Sequence, residues 1–184
     1  MARDLTKEKV VATAAELANK LGDIQQLKLK DVAARLKIKV PSLYNHVKGL
    51  DGLVHALRVH ALRILEEELR NVMAGKTGRD ALMSAADSYR TFAHQNPGIY
   101  PLIIQAKGIN AETEKVSRDI LTLFLLILGS FGLEGDEALH TVRGLRSLLH
   151  GFVSLELAGG FALGLELTDS FERLLSTFID GIEP

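Results

Sequence analysis

The chain has 184 residues, enough for one or two small domains with cores of their own, and 47% of them are hydrophobic, which excludes intrinsic disorder. There is no cysteine, so disulfides, cysteine-ligated zinc and thiol nucleophiles are excluded. The net charge of −1 hides a division: residues 1–48 carry ten Lys and Arg against five acids, a net of +5, while 49–184 carry twelve against eighteen, a net of −6. Such asymmetry points to a basic, nucleic-acid-binding head on an acidic body; the bland alternative is chance clustering of surface charge.

The N-terminal stretch MARDLTKEKV is charged and has no apolar core, unlike a signal peptide. Thr6 is the expected cap of a first helix with Glu8 in its first turn, Val10, Ala14, Leu17, Ala18 and Leu21 as its apolar stripe, and Gly22 as its stop. Two short helical patterns follow. In the first, Leu29, Val32, Ala33 and Leu36 recur at three- and four-residue spacing. Lys37-Ile38-Lys39 reads as a turn anchored by Ile38. The second opens at Val40-Pro41, where the missing proline N–H costs nothing, and sets Leu43 and Val47 four apart as a buried seam. Ser42, Tyr44, Asn45 and His46 occupy its other side. The pair reads as a helix-turn-helix, whose second helix enters a DNA major groove.

These residues carry a resemblance. The run LKLKDVAARLKIKVPSLYNHVK resembles the helix-turn-helix of the TetR family of transcriptional regulators, with Ala33 at the packing centre of the first helix and Pro41-Ser42-Leu43-Tyr44-Asn45-His46-Val47-Lys48 in the second. The family usually has glycine in the turn where this chain has Lys37, and a non-glycine residue at positive φ costs about 1 kcal/mol. The resemblance implies DNA contacts from Tyr44 and His46. Asn45 can pair bidentately with adenine, Ser42 and the amides around Pro41 can meet phosphate at a helix start, and Val40 and Pro41 can touch a thymine methyl. Lys28, Lys30, Lys39 and Lys48 read as phosphate contacts, which fix register without reading sequence. Against each stands a plainer reading: a tyrosine packed under the helix, or a solvated asparagine or lysine.

Beyond residue 49 the pattern stays helical. A long helix is expected from Leu50 to about Met73, with Leu53, Leu57, Ala61, Ile64, Leu65, Leu69 and Val72 buried. Residues 75–78 break it, Thr77 and Asp80 start the next helix, and Asn96-Pro97 ends that one. Ile99 to Ala106 reads as one or two turns. Asn110 caps an apolar helix to about Phe131, Glu134-Gly135-Asp136 starts another that reaches about Gly159, and the last begins at Thr168-Asp169, with Glu172 completing a capping box if Asp169 is the cap. No stretch alternates with period two. The expectation is an all-α protein of about nine helices, with a three-helix helix-turn-helix domain at 1–49 joined by a long helix to a bundle at 50–184.

The 14-residue run Ile120–Leu133 is short of the about 20 residues a membrane span needs, so no membrane is expected and the location is cytoplasmic. The sequence AGKTGR at 74–79 lacks the upstream glycine of a P-loop, Arg70 standing there, and no strand precedes it. The six histidines have no metal-ligand spacing, so no metal, cofactor or catalytic set is expected.

Leu121, Phe124, Leu125, Leu128 and 148–161 read apolar nearly all round, which implies burial on more than one side. A homodimer interface and a pocket for an apolar ligand both fit, and the TetR resemblance implies both. The segment LRSLLHGFVSLELAGGF resembles the C-terminal domain of a TetR subgroup with a His-Gly pair, here His150-Gly151, in the penultimate helix. Tyr89, Phe92, Tyr100, Phe124, Arg146 and His150 are candidate ligand contacts, and Phe152, Leu155, Phe171, Leu174, Leu175 and Phe178 candidate dimer contacts; ordinary core is the alternative for each. The sequence thus reads as a homodimeric regulator that binds a palindromic operator in double-stranded DNA, most simply a repressor released by a small apolar molecule. A DNA-binding or architectural dimer without an inducer is the alternative.

Overall fold

The computed structural model describes residues 5–104 and 110–183, and within them there are eight α-helices, two 3-10 turns and no strand. The helices are α1 (Lys7–Leu21), α2 (Leu29–Arg35), α3 (Val40–Leu43), α4 (Gly49–Met73), α5 (Gly78–Gln95), α6 (Ala111–Gly129), α7 (Gly135–Leu157) and α8 (Leu167–Asp180). No helix among the described residues is long and apolar enough to cross a membrane. The chain forms two compact units. One comprises the described residues up to 64 and those of 95–116; the other comprises 65–94 and 117–183. The first unit therefore takes in much more than residues 1–49.

In the first unit the caps follow the sequence. Thr6 Oγ1 accepts the Lys9 amide at 3.2 Å, and Gly22 closes α1 at φ 71°, a left-handed conformation that glycine takes without a Cβ penalty. The buried face of α1 is Val10, Val11, Ala14, Ala15 and Ala18. Leu21 is exposed and Leu17 half-buried, so the stripe is turned from the expected one towards Val11 and Ala15. Helix α2 packs directly on α1. Asp23 caps the 3-10 turn Ile24–Gln26 through the Gln25 amide at 2.8 Å.

The turn that ends α5 is bound to α1. Asn19 Oδ1 accepts the amides of Gly98 at 3.1 Å and Ile99 at 3.2 Å, and its Nδ2 donates to Asn96 Oδ1 at 2.9 Å. A Cβ on Gly98 would lie 2.0 Å from the Ala18 carbonyl oxygen, so only glycine lets this backbone come so close. A 3-10 turn, Tyr100–Ile103, follows where one or two turns were expected; residues 105 and 106 of that segment lie outside the described residues. Arg58 is buried on α4, with Nε donating to the Leu102 carbonyl at 3.1 Å. Asn110 caps α6 as expected, its Oδ1 accepting the Thr113 amide at 2.9 Å.

The second unit is a helical bundle whose α5 presents Ala81, Ala85, Ala86 and Ala93 inward among Leu82, Tyr89 and Phe92. The Gly78 amide donates to Ser130 Oγ at 3.1 Å. In α8, Phe171, Leu175 and Ile179 make a fully buried stripe at four-residue spacing. That helix starts at Leu167, so Asp169 lies inside its first turn and Glu166 is the cap residue, without a side-chain cap bond. The expected capping box is thus replaced by a carboxylate placed favourably near the helix N-terminus.

Gly98→Ala is expected to lower unfolding stability by about 2–3 kcal/mol, the cost of forcing an added methyl against fixed backbone. Gly129→Ala, where a Cβ meets nothing within 4 Å, is the control. Urea denaturation followed by circular dichroism measures both, and equal midpoints would show that the 96–99 turn yields.

Candidate nucleic-acid interface

The first unit builds a helix-turn-helix from very short pieces. Helix α2 buries Val32 and Ala33 and packs on both α1 and α3. It ends in a left-handed turn: Lys37 has φ 57°, its amide donates to the Ala34 carbonyl at 3.1 Å, and the Ile38 amide reaches back to Ala33 at 3.0 Å. This pair of bonds is a Schellman motif, which satisfies the helix's last carbonyls and reverses the chain sharply.

Helix α3 is shorter than the sequence pattern implied. It holds a helix over Val40–Leu43 and then tightens, with Tyr44 and His46 donating three residues back to Pro41 and Leu43. The Val47 amide still donates to Leu43, at 2.9 Å. Leu43 and Val47 are accordingly both buried, as their four-residue spacing predicts. Gly49, at φ 70°, then turns the chain into α4.

With that seam held inside, the other side chains face outward. Tyr44 is 58% exposed, which removes the reading of a tyrosine packed under the helix. Lys39, Pro41, Asn45 and Lys48 are exposed, as are Lys28 and Lys30. Val40 and Ser42 are half-buried. His46 is also half-buried. From Val32 to Leu50 the chain has four bases, Arg35, Lys37, Lys39 and Lys48, and no acid. The arrangement offers aromatic and amide groups for base edges, ringed by cations for phosphates.

Residues 82–178 match the family model described as "Tetracyclin repressor-like, C-terminal domain". Over 179 residues the chain is 33% identical to YobS of Bacillus subtilis (strain 168), an uncharacterized HTH-type transcriptional regulator, covering 97% of this chain and 93% of that protein. The chain belongs to the TetR family of transcriptional regulators. An uncharacterized HTH-type regulator of Mycobacterium tuberculosis (strain ATCC 25618 / H37Rv), Rv0681, is 33% identical over 84% of this chain and 72% of its own length. Among solved structures, TetR from Acinetobacter baumannii AYE superposes with a TM-score of 0.71 at 21% identity, covering 97% of this chain and 96% of that one, a likeness of fold.

Of the candidate ligand residues, Tyr89, Phe92 and Phe124 are buried in the second unit, Arg146 is exposed and His150 half-buried, while Tyr100 is buried in the first unit. The six are therefore not one cluster within a single unit. The His150 ring lies 3.2 Å from Ser154 Oγ, and burial, then the Arg146 charge, lowers its pKa. Of the candidate dimer residues, Phe171 and Leu175 are fully enclosed in their own unit and Phe152 nearly so. They are core: α8 turns the Phe171–Leu175 stripe inward, and the Phe152 ring of α7 lies 5.0 Å from that of Phe171. Leu155 and Leu174 are exposed and Phe178 half-buried.

One feature of the second unit has no sequence signal. Arg90 of α5 grips Glu156 of α7 with two bonds, Nε to Oε2 at 2.9 Å and a terminal nitrogen to Oε1 at 2.5 Å. His94 Nε2 lies 3.0 Å from the same carboxylate. The guanidinium also sits 5.1 Å from the Phe171 ring centroid and 5.9 Å from that of Phe152, within cation–π range. The partners are 66 residues apart, and nothing in the spacing of either helix pairs them.

The Arg90 bonds hold the Glu156 carboxyl below its ordinary value of 4.5, against a smaller upward push from burial. A depressed folded pKa contributes stability that is full above the unfolded value and lost as pH falls through the folded one. Glu156→Gln is therefore expected to cost about 2–3 kcal/mol near neutral pH, less than the loss from a fully buried pair. The gap from wild type should close as the solution is acidified below about 4.5. Urea midpoints across that range measure it, and a gap constant with pH would show that the ion pair is not its source.

Proposed function

We propose that the protein is a homodimeric, operator-binding repressor released from DNA by a small apolar molecule, working in the cytoplasm through binding alone. In this reading residues 1–49 read DNA, and residues 50–184 bind the ligand and the second copy. The observation that carries it is the exposed Tyr44, standing beside Pro41 and Asn45 over a buried Leu43–Val47 seam. A helix of four residues cannot stabilise itself in water, so packing that exposes a large aromatic ring there spends stability on a surface suited to a partner. Val40, Pro41, Ser42, Tyr44, Asn45 and His46 face base edges and nearby phosphates. Lys28, Lys30, Lys39 and Lys48 fix the register.

Leu155 and Leu174 support the dimer, being large apolar side chains exposed on α7 and α8. Two heads on a two-fold axis would engage major grooves about 34–36 Å apart. The ligand reading draws support from a related fold: a TetR variant from Acinetobacter baumannii AYE was solved in complex with minocycline. Tyr89, Phe92, Phe124, Arg146 and His150, all in the second unit, are the proposed ligand contacts. The mechanism is a population shift, in which a ligand weakens DNA binding only by its differential affinity for two head separations. Helix α4, continuous from Gly49 to Met73, runs through both units and would carry that shift.

Fluorescence anisotropy with DNA from upstream of the protein's own gene tests the reading. Saturable, competitor-resistant binding is expected, weakened at least about tenfold, or 1.4 kcal/mol, by Tyr44→Ala. Equal, weak binding to that fragment and to a genome-wide selected pool would refute sequence-specific regulation. Leu174→Arg is expected to convert the dimer to a monomer in sedimentation velocity; an unchanged dimer would place the interface elsewhere.

A further inference from the structure

Among the described residues Lys37 is the single non-glycine residue with positive φ. Its place in the Schellman turn is one where glycine is the default and asparagine the usual substitute. A lysine there pays the steric cost of the left-handed region without the compensating local hydrogen bond that an asparagine side chain can make. Backbone strain of this kind persists where the strained residue serves something other than stability. The Lys37 backbone already makes the turn, donating to Ala34, so the lysine side chain adds nothing to the turn itself.

That side chain is exposed and lies two residues before Lys39, the cap residue of α3. It sits in the stretch from Val32 to Leu50 that carries bases and no acid. A left-handed residue reverses the chain, so its side chain leaves the turn in a direction that neither a helical nor an extended residue would give it. We propose that Lys37 is a DNA-backbone contact, retained against its conformational cost because the left-handed turn aims its ammonium at a phosphate beside the groove that α3 enters. This inference rests on the DNA-binding reading above and adds a contact to it. The ligand group is a phosphodiester of double-stranded DNA, recognised as charge and without regard to base.

The test uses the full-length protein and a random-sequence duplex long enough for two successive major grooves, because a phosphate contact weakens binding uniformly across sequences. Each phosphate neutralised contributes about 0.9 to the slope of log affinity against log salt. With two heads engaged, Lys37→Gly is expected to flatten that slope by about 1.8. Raising salt from about 50 to 200 mM would then weaken the variant about tenfold less than the wild type. Its melting temperature should be unchanged or higher, since glycine relieves the strained φ. Lys37→Asn, which tolerates the left-handed conformation, should lose the same slope, and Lys37→Arg should keep it. A wild-type slope in both Lys37→Gly and Lys37→Asn would overturn the proposal while leaving the regulator reading intact. A wild-type protein with no salt-sensitive DNA binding would overturn both. A lower melting temperature together with an unchanged slope would show that the side chain serves packing.

Discussion

A helix of seven residues and one of four cannot hold themselves in water, since helix nucleation is unfavourable until several turns have formed. Everything the proposed DNA-reading surface does therefore depends on the packing beneath it. Val32, Ala33, Leu43 and Val47 are buried, and α1 supplies Val10, Ala14 and Ala18 with no exposed surface at all. Alanine at the contact lets the short helices lie close enough for dispersion to act over most of their length. Because the buried side of α3 is so completely used, the outward side is free of packing duties. That is why Tyr44 and Asn45 can stand in solvent without weakening the unit.

The same unit reaches far along the chain. Asn19 on α1 satisfies two amides of the 98–99 turn and holds Asn96 as well, and Gly98 approaches the α1 backbone closely enough to exclude any side chain. On the surface of the same unit Arg63 of α4 pairs with Glu112 of α6 at 2.7 Å. That exposed pair is worth little, at most about 1 kcal/mol, whereas the buried amides on Asn19 would each be costly to strand. Polar groups inside the unit, more than ions on its surface, make segments distant in sequence part of one compact body.

Local rules carried the sequence reading where the chemistry is local. Thr6, Gly22, Asn110 and the Asn96-Pro97 stop each act within four residues, and the structure has them as the sequence implied. The Leu43–Val47 seam and the outward Tyr44 followed from spacing alone. What spacing could not supply was the tertiary partner. The stripe of α1 is turned towards Val11 and Ala15. Phe171 and Leu175 are core because α8 faces its own bundle, although in sequence they look no different from Leu174. Asn19 with Gly98, and Arg90 with Glu156, meet across gaps of 79 and 66 residues, and no periodicity within one helix encodes such a meeting.

Helix α4 begins at Gly49 in the first unit and ends at Met73 in the second. In the first unit it is buried nearly all round, with Leu53, Leu57 and Ala61 on one side and Ala56, Arg58, Val59 and Leu62 on others. A helix enclosed on several faces cannot shift without disturbing each of them, since packed interiors rearrange between discrete states and do not deform smoothly. In the second unit the same helix buries only Leu65, Leu69 and Met73, a single face at about one-turn spacing. The buried positions of α4 are thus spread around the helix before Ile64 and confined to one face after it.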